Sequence, residues 1–325
     1  MARLATAVEQ EHRSGGRRSP GIPADAQILG NAVLDGFRGR RDGSGGHEEL
    51  RSRPPRGGPG LIWRSRVPHY ILALCLWLCG AGAAASEPLD EALYAKLLAQ
   101  HTRESHDLAG TRVDYRGLEG SADWARLLRN LEATNPAALD GRAQQLAYWF
   151  NVYNILAIDV VVKGYPVESI RDVGSFLSPV WRREAGHLAG KPVTLHEIEH
   201  EILRPMGDPR IHVALVCASL SCPALRREPW TATRLDAQLE DSLRTWLADR
   251  RKGLALDRDE GRVRLSKIFD WFDEDFETAG GALAFAARYA PAEERAWIER
   301  HEGARVEYFD YDWNLNDLAA ASPDG

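Results

Sequence analysis

Between Leu146 and Val162 the chain reads Leu-Ala-Tyr-Trp-Phe-Asn-Val-Tyr-Asn-Ile-Leu-Ala-Ile-Asp-Val-Val-Val. The run is too long for an ordinary strand. It is also too short and too often broken by polar residues for a membrane span. An apolar pattern on every side predicts a helix in the middle of a domain rather than one lying on its surface. Asn151 and Asn154 interrupt it three residues apart, on one face. A buried amide left without partners costs about 1–3 kcal/mol, so something polar in the fold must meet this helix.

The chain has 325 residues, and the first 66 do not read as fold. Arg, Gly, Pro, Ser and Asp dominate residues 1–66, whose apolar residues are too scattered for a core, so this stretch is expected to be disordered. Arg64 and Arg66 then precede Tyr70-Ile-Leu-Ala-Leu-Cys-Leu-Trp-Leu-Cys79 and the small-residue run ending at Ser86. A basic flank, an apolar run and an Ala-x-Ala site predict a signal peptide over 67–85, cleaved after Ala85. Signal peptides stand at the amino end, so residues 1–66 are expected to come from a start placed too far upstream. Val67 is the candidate initiator if its codon is GTG.

The remaining residues, 86–325, suffice for one well-buried domain. They carry 29 Lys+Arg and 40 Asp+Glu, a net of −11, whereas residues 1–66 carry 12 against 7. The acidic part is a poor candidate for nucleic acid or anionic membrane, so no nucleic-acid partner and no membrane contact beyond the signal peptide is expected. The expected location is secreted or periplasmic.

Amphipathic helices are predicted from Leu89, from Ser121, from Leu235, and in two segments after Gly281. Thr194 and Glu197 form a capping box that starts a helix running to Arg204. Ile211-His-Val-Ala-Leu-Val216 predicts a strand buried on both faces. The fold class expected is α+β, many helices around a small buried sheet.

Several segments in order then resemble the family called domain of unknown function 547: Tyr148-Trp-Phe-Asn-Val-Tyr-Asn154, Ile198-Glu-His200 with Ile202-Leu-Arg204, Asp208-Pro-Arg-Ile-His212 through Cys222-Pro223, Ser266-Lys-Ile-Phe-Asp-Trp-Phe272 and Tyr311-Asp-Trp-Asn-Leu-Asn316. The resemblance spans about residues 113–316. It implies exported bacterial proteins and plant proteins, not a reaction. By distant analogy of fold alone it implies a papain-like enzyme.

Three chemistries compete. In the first, Cys217 is the nucleophile of a thiol hydrolase or transferase acting on an envelope peptide or amide. His200 is then its base, and Glu199 or Asn151 orients that base. Asn154, Arg204, His212 and Cys222 complete the surroundings. On a strand, His212 would face away from Cys217. In the second, Cys217–Cys222 is a disulfide in a compartment that permits one, and the chain is a non-catalytic binding or scaffold module. In the third, His196-Glu-Ile-Glu-His200 places His196 and His200 one helical turn apart on a zinc ion. No resident cofactor is expected under the first two.

Overall fold

The computed structural model describes residues 88–301 and 303–320. The expected extension, signal peptide and cleavage after Ala85 lie outside the described residues. Helix α1 (Glu91–His101) starts at Asp90, whose side chain accepts from the Leu93 N–H, and leads into strand β1 (Thr102–Glu104). Strand β2 (Thr111–Val113) pairs antiparallel with β1. Short helix α2 (Tyr115–Leu118) and amphipathic α3 (Ala122–Ala133) follow.

Helix α4 (Arg142–Gly164) is the element the rest surrounds. From Leu146 to Val161 only Trp149 is partly exposed. The apolar run alone reads as too short for a membrane span, but the full 23-residue helix is long and apolar enough for one, and protein covers 89% of its most apolar stretch. Its one buried charge, Asp159, accepts from the Trp124 indole at 3.0 Å and pairs with Lys163 at 2.7 Å, which satisfies it without opening the core. The helix begins after Gly141, and no side chain caps its first turn. Instead Gln144 folds back and accepts from the Asp140 N–H at 3.0 Å.

Strands β3 (Glu184–Leu188) and β4 (Lys191–Thr194) form a hairpin, turning at Ala189 and Gly190. The Thr194–Glu197 capping box is present in both directions, at 2.7 and 3.0 Å. It opens a π-helix, Glu197–Leu203, rather than an α-helix. The wider turn lets the Arg204 N–H bond to the Glu199 carbonyl, and such turns cluster at functional sites.

Helix α5 (Ile211–Ala214) stands where a buried strand was expected. The apolar run is buried, as its composition demands, but a short run has no period that separates strand from buried helix. The side chain of Asn154 takes the place of a neighbouring strand. Its amide nitrogen donates to Ala214 O at 2.9 Å, and its oxygen accepts from Val216 N at 3.0 Å. Asn151 clasps Trp230 in the same way, donating to its carbonyl at 2.8 Å and accepting from its N–H at 2.9 Å.

Beyond come α6 (Leu235–Ala248), β5 (Leu254–Asp257), β6 (Arg262–Leu265), α7 (Ile268–Trp271), α8 (Asp273–Phe276), α9 (Ala282–Tyr289), α10 (Ala292–Arg300) and β7 (Arg305–Tyr308). β5 and β6 form a hairpin, and β7 joins β6 in parallel. The class is α+β, with the sheet distributed among three small pieces instead of one. The segment after β7 returns across the domain. Val113 N donates to Asn316 O at 2.9 Å, and the Tyr115 hydroxyl donates to Asn316 Oδ1 at 2.6 Å.

Candidate active site

The C-terminal segment holds the cysteine loop in place. Leu220 N donates to Asn314 O at 2.9 Å, Ser221 N to Asp312 O at 3.2 Å, and Asn316 N to Ala218 O at 2.9 Å. Ser221 Oγ accepts from Asp312 N at 2.9 Å. From the other side the Lys252 ammonium donates to Leu220 O at 3.2 Å and to Cys222 O at 2.6 Å. Burial pushes the Lys252 pKa down to about 8. Held between the two, Ala218 adopts a left-handed φ of 61° beside Cys217. A non-glycine residue keeps such a conformation only where its surroundings impose it.

Cys217 and Cys222 form a disulfide. The Tyr311 hydroxyl lies 3.3 Å from Cys217 Sγ and 3.1 Å from Cys222 Sγ, and Ser219 Oγ donates to it at 3.1 Å. The tyrosine proton is therefore directed at sulfur. Burial raises the Tyr311 pKa far above the usual phenol, and the nearby Glu199 charge adds to that.

The disulfide borders a cavity of about 920 Å³. Glu199, His200, His196 and His212 line it with Cys217 and Cys222, and so do Tyr153, Tyr311, Phe272 and a set of tryptophans. Of the residues expected around Cys217, Glu199, His200, His212 and Cys222 line the cavity with it, whereas Arg204 does not. The facing rule for His212 and Cys217 does not apply, because His212 sits on the helical turn Ile211–Ala214 and Cys217 lies in the loop beyond it; both border the cavity. Asn151 and Asn154 are held by backbone partners behind it, and neither lines it.

Burial pushes the Glu199 carboxyl up to about 7, against the hydrogen bond from the Tyr153 hydroxyl at 3.3 Å and the positive charge of Arg204. Burial also acts to raise Asp275, but hydrogen bonds from His212 and Arg204 outweigh it and hold this carboxyl at about 2. Arg204 reaches Asp275 through Nε at 2.7 Å and Nη2 at 2.8 Å, and His212 Nε2 donates to it at 2.7 Å. Two carboxyls in one site are thereby set apart, one fixed as an anion and one able to exchange a proton near neutrality.

Arg204 Nη1 lies 3.0 Å from His200 Nδ1. A guanidinium only donates, so Nδ1 accepts and the ring proton belongs on Nε2. In that tautomer His200 presents a donor, and Glu199 is the group able to accept a proton. The rings of His196 and His200 are 4.4 Å apart. Among the described residues no group of three or more His, Cys, Asp or Glu is placed to hold a metal ion.

Residues 136–247 match the profile of a family described as protein of unknown function, DUF547. The chain resembles the DUF547 family over that span. No curated protein and no solved structure matches it. The DUF547 match takes in α4, the π-helix and the cysteine loop. It does not reach Asp275, Tyr311 or Trp313, which line or buttress the same cavity.

Residue types and the family resemblance singled out Glu199, His200, Cys217, Arg204 and His212. Tyr311, Trp271 and Trp313 stood there only within segments that carry the resemblance, with no role of their own. Their clustering in the final segment and after Ser266 was the available signal, but a tertiary wall has no local spacing.

Proposed function

We propose that the cavity is the site of an exported thiol-dependent hydrolase or transferase acting on peptide or amide bonds, with Cys217–Cys222 as its oxidised resting form. The observation that carries this reading is the Tyr311 hydroxyl, which touches both sulfurs and feels the Glu199 charge. The apolar run over Tyr70–Cys79 with its small-residue end supports the exported location.

A dithiol supplies two electrons to open the bridge, leaving two thiols and taking the disulfide itself. Glu199 receives the Cys217 proton. The Cys217 sulfur bonds to the substrate carbonyl carbon, the carbon–nitrogen bond breaks, and the amine leaves with the proton from Glu199. Water then cleaves the thioester, or a second amine does so in a transferase. The attacking group yields its proton through Glu199 to Cys217. Tyr311 and the Nε2–H of His200 are donors on the same cavity, suited to sulfur and to developing oxyanion charge.

The test is alkylation of Cys217 after mild reduction, followed across pH by peptide mapping. Cys217 is expected to react faster at neutral pH than a thiol of ordinary pKa, about 8.5. Glu199→Gln and Tyr311→Phe are expected to slow it several-fold while the tryptophan emission of the fold is kept. A reduced Cys217 no more reactive than a free thiol sinks the mechanism.

A second reading, a non-catalytic binding module, is favoured by the bridge itself and by the purely structural engagement of Asn151 and Asn154. It expects ligand affinity unchanged by Cys217→Ser.

A further inference from the structure

One wall of the cavity is aromatic to a degree the thiol chemistry does not require. Trp271 stacks on Trp313 with ring centroids 5.6 Å apart at 24°, and Tyr311 lies 4.7 and 4.6 Å from the two. Trp181 approaches Trp313 to 6.1 Å. All four are half-buried and all four line the cavity. Rings meant only for the core bury themselves completely, as Phe269 and Phe276 do in the same region. An aromatic wall kept partly open to a cavity offers flat apolar faces to a ligand.

Polar groups surround those faces. The Arg171 guanidinium sits 5.1 Å over the Trp313 ring, and Asp172, Asp312 and Asn314 line the cavity beside it. Planar fork donors and carboxylates bind pairs of adjacent hydroxyls, while an indole face takes the C–H side of a saturated ring. An extended peptide strand would need a row of open backbone donors and acceptors. The backbone here is committed instead, since Ser221 N, Leu220 N and Asn316 N all bond across the cysteine loop and the C-terminal segment.

From this combination we propose that the Trp181–Trp271–Trp313–Tyr311 wall is a pyranose subsite, so that the chain binds an oligosaccharide. The proposal deepens the thiol reading and rests on it in one respect only. With both in force, the bond attacked is an amide carried on a sugar. Binding itself needs no free thiol, and the oxidised chain should show it.

Tryptophan emission and calorimetry on the oxidised full chain are the readouts. The probes are soluble pentamers of N-acetylglucosamine, of β-linked glucose and of α-linked glucose, beside a proline-rich decapeptide. At least one pyranose pentamer is expected to bind saturably and shift the emission. Trp181→Ala, which leaves the cysteine loop's partners in place, should weaken that binding about tenfold. Trp313→Phe, which keeps a flat ring, should weaken it less than Trp313→Ala. Binding of the decapeptide with no response to any pyranose pentamer overturns the proposal, and so does pyranose binding that Trp181→Ala and Trp313→Ala leave unchanged. The alkylation result is independent: reactive Cys217 without sugar binding refutes the subsite alone, and sugar binding with an inert thiol refutes the mechanism alone.

Discussion

Replacing Glu199 by glutamine should make the protein more stable at neutral pH, although the residue sits at the centre of the cavity. The carboxyl titrates at about 7 in the fold against 4.5 for the ordinary group, chiefly because burial disfavours its charge. Since the folded value lies above the unfolded one, the stability contribution is full below pH 4.5 and is lost as pH rises through 7. The complete shift corresponds to about 3 kcal/mol. Glu199 is partly exposed at the cavity, where solvent screening moderates this, so about 2 kcal/mol is the expected loss for wild type between pH 4.5 and pH 8. Glutamine resembles the neutral acid and still accepts from the Tyr153 hydroxyl, so the variant should show no such loss. Denaturant unfolding of both proteins at pH 4.5, 6, 7 and 8 measures the difference. The two should coincide at the acid end and part steadily above it, with the variant on top. Parallel curves, or a variant less stable at pH 8, would show that Glu199 is solvated like a surface carboxyl and is no candidate base.

Two further outcomes test the frame around the site. Asn154→Ala removes the partners of Ala214 O and Val216 N in a position only 2% exposed, and should cost about 2–4 kcal/mol in the same unfolding assay. Lys252→Met orphans the carbonyls of Ala109, Leu220 and Cys222, and should cost about 2 kcal/mol and speed reduction of the bridge by a soluble dithiol. Because the folded Lys252 titrates at about 8 against 10.5 when exposed, the unfolded chain binds the extra proton in that window, so wild-type stability gains with pH from about 8 upward; the methionine variant should lack this gain.

The organisation of the domain was readable wherever the signal is local. The all-round apolarity of Leu146–Val162 gave the central helix, and the Thr194–Glu197 pair gave the start of the helical segment that follows β4. What failed depended on contacts distant in sequence. Ile211–Val216 is not a strand, because Asn154, 60 positions earlier, bonds to the Ala214 carbonyl that a neighbouring strand would have claimed. The π-helical turn at Glu197–Leu203 has no periodic signature in so few residues. The same limit hid the site's far wall. Glu199, His200 and Cys217 stood out by residue type, but Tyr311 touches Cys217 across 94 positions, and a tyrosine in an aromatic-rich segment looks the same whether it fills a core or faces a sulfur.

The hold of the C-terminal segment on the cysteine loop sets an order of construction. A ribosome completes Cys217 and Cys222 long before it reaches Tyr311, Trp313 and Asn316, so the cysteine loop cannot gain its partners until the last of these is made. A protein clipped just ahead of Tyr311 loses the donor facing both sulfurs and the bonds that fix their loop. Whatever this cleft performs is withheld from every copy that ends before Tyr311.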